Sequence, residues 1–199
     1  MPVEIDKGTA LVIVDVQRDF CPGGSLPVPE GDRVVPVLSQ YIEKFRAAKA
    51  PIFITRDWHP PNHVSFKNQG GPWPPHCVQG TEGARLHPDL TIPPNAEILS
   101  KADSPEVEAY SIFQQADLDL ASKLRRRGIE TLLVGGLATD YCVKSTVLDG
   151  LEKGFEVYHL DDASRGVDVN PGDTDRALRE MTSKGTKRIT IKDVLPPQE

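Results

Sequence analysis

The chain is poor in several features that would place it in a special class. Of its 199 residues only 6% are aromatic, and there are three cysteines and five histidines. Cys21, Cys77 and Cys142 are odd in number and form no CxxC pair, so no structural disulfide is expected and a reducing cytoplasm is the expected compartment. There is no run of about eighteen apolar residues, which excludes a transmembrane helix from the expectation. The segment MPVEIDKGTALVIVDVQ carries acids ahead of its apolar run, unlike the layout of a signal peptide. Positive charge is also short: 23 Lys and Arg stand against 29 Asp and Glu, a formal charge of −6. The one basic run, Arg125–Arg127, falls where a helix is expected to end and reads as a solvated C-terminus. Neither a nucleic-acid partner nor an anionic membrane is expected.

What is present suits an ordinary globular chain, with 38% hydrophobic and 26% charged residues. The length suits one domain, residues 1–199, able to bury a core without metal or disulfide staples. Continuous apolar runs bounded by turn residues predict strands at Ala10–Asp15, Pro51–Thr55, Ala96–Leu99, Thr131–Gly135, Glu156–Leu160 and Arg188–Ile191. Amphipathic stretches at Val34–Lys49, Asp117–Arg127, Tyr141–Lys153 and Thr174–Lys184 alternate with them. Strand and helix in alternation predict a three-layer α/β/α domain around a mainly parallel sheet. The rhythm breaks from Trp58 to Asn95, a Pro-, Gly- and His-rich segment with no period. Loops of that length inside a compact domain are usually functional or a sign of misassigned elements.

Reactive residues fall at the predicted carboxyl ends of strands, where open parallel sheets bind ligands. Asp15 ends the first strand, Asp57 follows the second, Lys101 follows the third, and Cys142 lies just past the fourth. Cys142 sits at the expected start of a helix, where a thiolate is favoured; the alternative is a small buried hydrophobe. Asp15 interrupts an apolar run and must be paired or functional, and Lys101 alone would pass for a loop lysine. Taken together they suggest an activated nucleophile, with the lysine favouring thiolate and carboxylate and the acid shuttling protons. Asp57 and His59, two apart in an extended segment, share a side. With His76 they offer ligands suited to Zn, Mn or Fe, although a DxH pair alone would also pass for two surface residues. His63 is a further ligand or supporting candidate, whereas His87, His159, Cys21 and Cys77 read as structural.

The segments VIVDVQRDFCPGGSLPV, TRDWHPPNHVSF, GGPWPPHCVQGT, SKADSPEVEAYSIF and GGLATDYCVKSTVLDGLEKGFEV resemble the nicotinamidase (pyrazinamidase) branch of the isochorismatase-like cysteine hydrolases. The resemblance covers essentially the whole chain, in the family's order. It implies a six-stranded, mainly parallel Rossmann-like sheet and hydrolysis of nicotinamide to nicotinate and ammonia through a thioester. It implies that Asp15, Lys101 and Cys142 are the catalytic set, and that Asp57, His59 and His76 hold one divalent transition metal, zinc first and manganese or iron as alternatives. It implies further that Phe20 and Trp73 sandwich the pyridine ring, and that the oxyanion hole is made by Ala138 and Cys142 beyond a cis Leu137–Ala138 peptide. A homo-oligomer is compatible with it. One departure is Ile112, where many relatives have glycine, which is expected to stiffen the loop near the pocket. Two other readings remain at this point: a metal-free carbamoyl or ureido amidohydrolase, and a non-catalytic nicotinamide- or metal-binding protein.

Overall fold

The computed structural model describes residues 2–197. Its strands are β1 (Val3–Glu4), β2 (Thr9–Val14), β3 (Ile52–Asp57), β4 (Glu97–Lys101), β5 (Thr131–Leu137), β6 (Glu156–Arg165), β7 (Lys187–Ile189) and β8 (Val194–Leu195). The helices are α1 (Val34–Ala47), α2 (Leu120–Arg126), α3 (Lys144–Glu152) and α4 (Asp173–Ser183). Strands β2 to β7 form one sheet in the order β4-β3-β2-β5-β6-β7, with every neighbouring pair parallel. The terminal strands β1 and β8 pair separately, also in parallel.

The continuous apolar run of β2 is buried at all six positions, because helices cover both faces of the sheet. Leu11 and Ile13 pack with Leu38, Tyr41 and Phe45 of α1. Ala10, Val12 and Val14 pack on the other side with Leu124 of α2, Val147 of α3 and Met181 of α4. Each buried Val, Leu or Ile side chain contributes about 1.5–3 kcal/mol. That is enough to hold the next residue, Asp15, in a left-handed conformation (φ 50°), which costs a non-glycine residue about 1–2 kcal/mol.

From β2 the chain runs outward through β3 and β4, then returns to β5 on the other side of β2. The carboxyl ends of β2 and β5 therefore flank the topological switch point. Close approach there depends on Gly136, whose φ is +125° and whose missing Cβ would lie 2.1 Å from the carbonyl oxygen of Val14. The next peptide, Leu137–Ala138, is cis.

Several predicted boundaries move. The third strand runs to Lys101, so the lysine closes a strand instead of following it. The helix expected from Tyr141 is preceded by a π-helical turn, Thr139–Val143, and α3 begins at Lys144. The helix expected from Asp117 starts later, because the Asp119 side chain accepts from Ser122 N–H and caps α2. Arg125–Arg127 close α2 as expected, with Arg125 donating to the Lys153 carbonyl and Arg127 to Glu97. Between Trp58 and Asn95 the described backbone forms a single 3-10 turn, Lys67–Gln69, and isolated bridges at His59–Val78 and Phe66–Trp73. None of the described helices is long and apolar enough to cross a membrane.

Replacing Gly136 by alanine forces a positive φ on a residue with a Cβ and drives that carbon into the Val14 carbonyl. Gly136→Ala is expected to lower stability by at least about 2 kcal/mol in urea unfolding. A loss below about 0.5 kcal/mol, the range of an ordinary surface change, would show that β2 and β5 need no such approach.

Candidate active site

Adjacent strands deliver the charged groups. Asp57 and Lys101 are register partners at the ends of β3 and β4. Lys101 is completely buried, and its Nζ lies 2.9 Å from Asp15 Oδ2 and in direct contact with Asp57 Oδ1. The same ammonium donates to the Ala109 carbonyl at 3.1 Å and lies 3.4 Å from Cys142 Sγ. Asp15 Oδ1 accepts from Thr55 Oγ1 at 2.6 Å. Oδ2 has no well-aligned hydrogen bond: it faces the ammonium off the donor axis, so the contact with Lys101 is an ion pair.

These groups set one another's protonation. Burial favours the neutral forms, yet Asp15 and Asp57 outweigh it at Lys101 and hold the ammonium well above its usual range. For Asp57 the order reverses: burial pushes its carboxyl up, and Lys101 and His59 together hold it below the ordinary carboxylate range. Burial, helped by Asp57 and opposed by Lys101, raises Asp15. The Cys142 thiol is pushed well above its usual range, first by burial and then by the two carboxylates, with Lys101 opposing. Burial and the two acids thus work against the thiolate expected from a helix start and a lysine, while Lys101 works for it. Cys142 belongs to the π-helical turn ahead of α3, and the lysine's field is already engaged by two carboxylates. That direction favours a thiol that keeps its proton in the absence of substrate.

Beside this cluster, ligand atoms of Asp57, His59 and His76 lie within 4.8 Å of one another. The tautomers suit a cation. His59 Nδ1 lies 3.1 Å from the Ala102 carbonyl, and His76 Nδ1 lies 2.8 Å from the Pro74 carbonyl. A carbonyl only accepts, so both Nδ1 atoms carry hydrogen and both Nε2 lone pairs are left as ligands. His59 Nε2 lies 3.5 Å from Asp57 Oδ2. The Asp57 peptide is itself clamped by the buried Gln17, whose amide accepts from Asp57 N–H and donates to Asp57 C=O, each at 2.8 Å. His63 is placed differently: Nε2 donates to the Val107 carbonyl at 3.1 Å and Nδ1 meets Ser65 Oγ at 2.7 Å. Both its nitrogens are engaged, and its ring stacks on His59 at 4.1 Å.

One pocket joins the two clusters. Asp57 and His76 line one part of it, Ala138 and Cys142 another, and Phe20, Trp73, Tyr110 and Tyr141 supply aromatic walls. The structure thus brings together every predicted site residue, although Asp15, His59 and Lys101 stand behind the lining. It does not place Ile112 at the pocket: that side chain is fully buried in the core around α3, so the stiffening expected of it acts on packing. His87, His159, Cys21 and Cys77 lie outside the lining.

Sequence reasoning missed Tyr110 and Tyr141, together with Gln17 and Thr55. Tyr141 precedes the cysteine, and Tyr110 stands in EAYSIF beside the lysine segment; aromatic residues flanking reactive ones were the available signal. No local pattern marks Thr55 as the partner of Asp15.

An open parallel sheet that sets a cysteine against a carboxylate at its switch point has the layout of an α/β cysteine hydrolase. Comparison with known proteins narrows that class: the Isochorismatase domain matches residues 9–193, and the chain belongs to that family. It is similar to the Escherichia coli (strain K12) protein named nicotinamidase, with 42% identity over 205 residues covering 92% of this chain and 95% of that protein. Among solved structures it resembles the pyrazinamidase of Pyrococcus horikoshii in complex with zinc, at 51% identity and a TM-score of 0.87, covering 92% and 99% of the two chains. It also resembles PnC1 from L. infantum in complex with nicotinate, at 32% identity and a TM-score of 0.91, covering 99% and 100%.

The buried ion cluster makes a direct prediction. In metal-free protein at neutral pH, Lys101→Met strands Asp15 and Asp57 without a counter-charge, and the loss of stability is expected to be about 3–5 kcal/mol. Urea unfolding measures it; a change below about 1 kcal/mol would contradict the burial of both carboxylates around one ammonium.

Proposed function

We propose that this chain hydrolyses nicotinamide to nicotinate and ammonia, with residues 1–199 acting as one amidohydrolase unit. The observation that carries the reading is the single aromatic-walled pocket lined by both the Cys142 thiol and the Asp57 and His76 ligand groups. A flat ring with a nitrogen on one side and a carboxamide on the other suits that pocket. Names of the relatives support the same substrate. Pyrazinamide offers the same ring nitrogen and carboxamide and is a second expected substrate.

In this reading Asp15 accepts the Cys142 proton as Sγ attacks the carboxamide carbon, breaking the C=O π bond. Backbone N–H groups of Ala138 and Cys142 receive the negative oxygen, a contribution of about 3 kcal/mol or more. Collapse breaks the C–N bond, and Asp15 returns its proton to the leaving nitrogen, releasing ammonia and leaving a thioester. Water then adds with Asp15 as base; nicotinate leaves and the thiol regains its proton. Splitting the hydrolysis of a poor electrophile in this way replaces one hard step with two easier ones. Lys101 opposes the rise that burial imposes on Asp15, and Phe20 and Trp73 hold the ring. Asp57, His59 and His76 hold the metal, proposed to be zinc, with manganese or iron as alternatives. When bound, the metal supplies a Lewis-acid anchor for the ring nitrogen.

Cys142→Ala is expected to abolish ammonia release while nicotinamide still binds, and Asp15→Asn to lower turnover by about two to four orders of magnitude. Ammonia release within tenfold of wild type in either variant would remove that residue from the mechanism. Purified protein is expected to carry about one zinc-type ion per chain, most of it lost in His59→Ala or Asp57→Ala. Metal analysis with nicotinamide titration checks this. Nicotinamide binding as tight without metal as with it would show that the histidines are structural.

A further inference from the structure

Residues 102–115 form a loop whose contacts reach both the histidine cluster and the buried lysine. The Ala102 carbonyl accepts from His59 Nδ1, the Val107 carbonyl from His63 Nε2, and the Ala109 carbonyl from Lys101 Nζ, each at 3.1 Å. Tyr110 Oη accepts from Trp73 Nε1, also at 3.1 Å. Three of these four acceptors are backbone carbonyls, so their aim depends on the path of the loop.

Ala102 is the stressed point of that path. It is buried, with 1% of its surface exposed, and has a φ of +50°, a left-handed conformation that alanine adopts only when held. Its turn lets Lys101 face inward while the following carbonyl faces His59. A buried N–H at such a residue needs a partner. That partner is the side chain of Gln115: Oε1 accepts from Ala102 N–H at 3.1 Å, and Nε2 donates to Asp103 Oδ1 at 3.0 Å and Asp117 Oδ1 at 2.8 Å. The orientation of the amide follows from its neighbours, since the two carboxylates only accept and the backbone N–H only donates. Contacts from the Trp58–Asn95 side also hold the loop, through Gln79 Nε2 to the Asp103 carbonyl and Val64 N–H to the Pro105 carbonyl. Gln115 is what fastens the start of the loop to its own far end.

We propose that Gln115 is a positioning residue that staples the 102–115 loop, aiming His59 at the metal and Lys101 at Asp15 and Cys142 without touching substrate. The proposal rests on the metal and catalytic roles given above. Its chemistry requires an acceptor for Ala102 N–H and a donor for two carboxylates, which only a primary amide of this reach provides. Glutamate keeps the acceptor but sets a third negative charge against Asp103 and Asp117.

The test compares wild type, Gln115→Ala and Gln115→Glu in the full chain. Amide hydrogen exchange of residues 102–110 is expected to accelerate in both variants, with exchange in β2 and β5 unchanged. Zinc affinity, read by competition with a chelator, is expected to fall about tenfold, as it does when a partner of a metal-bound histidine is lost. KM for nicotinamide is expected to rise with it. A purely structural role would instead accelerate exchange throughout and lower the active fraction, leaving zinc affinity and KM alone. That pattern, or unchanged exchange at 102–110, or faster exchange with unchanged zinc affinity, would overturn the proposal. A wild-type chain with no zinc affinity would overturn the metal site itself, and the exchange comparison then decides the staple alone.

Discussion

The site depends on one buried ammonium shared among acids. Lys101 is the largest charged side chain with no exposure, and it meets Asp15, Asp57 and Cys142 at once. Taking any of these charges out of water costs several kcal/mol, so none could be buried without the others. One cation for two carboxylates leaves the cluster short of positive charge, which is a physical reason for a metal to sit against Asp57. The Asp15, Lys101 and Cys142 cluster and the Asp57, His59 and His76 cluster are therefore one electrostatic unit, joined through Asp57.

The fold supplies this arrangement cheaply. Asp15 follows β2, Asp57 closes the adjacent parallel strand, Lys101 closes the next, and Cys142 follows the strand on the other side of β2. Only a short strained segment at each strand end is then needed to turn the side chains inward, as the positive φ of Asp15 and of Ala102 shows. The strain is repaid by the all-apolar strands behind it, whose burial on both faces is worth far more. Asp57 and Lys101 are fixed by the sheet itself, whereas Asp15, His59, His76 and Cys142 lie in the turns and loop segments just beyond the strand ends.

Much of this was legible in the residues. The six apolar runs each became a strand of the sheet, and an acid interrupting LVIVDVQ could not be a bystander in a buried strand. The DxH pair and His76 were recognisable by ligand type, and the structure brings their atoms within reach of one cation. What could not be read was anything set by contacts between distant segments. The capping of α2 by Asp119 and the π-helical turn before α3 moved boundaries that periodicity alone cannot place. The push on the Cys142 thiol depends on how many acids share Lys101, and that number belongs to packing. His63 is a ligand or supporting candidate by type, and only the structure shows that its nitrogens meet Ser65 and the Val107 carbonyl. Ile112 is expected from the sequence to stiffen the loop near the pocket, and only the structure shows that its side chain lies within the core.

The central claim is that Lys101 is saturated by carboxylates, leaving Cys142 a neutral thiol until Asp15 takes its proton. The most direct measurement is the infrared S–H stretch of Cys142 in ligand-free protein at neutral pH, isolated as the difference between wild type and Cys142→Ser. The account predicts an S–H band at neutral pH that persists into alkaline solution. A spectrum with no Cys142 S–H band at neutral pH would mean a resting thiolate paired with Lys101, and would contradict it.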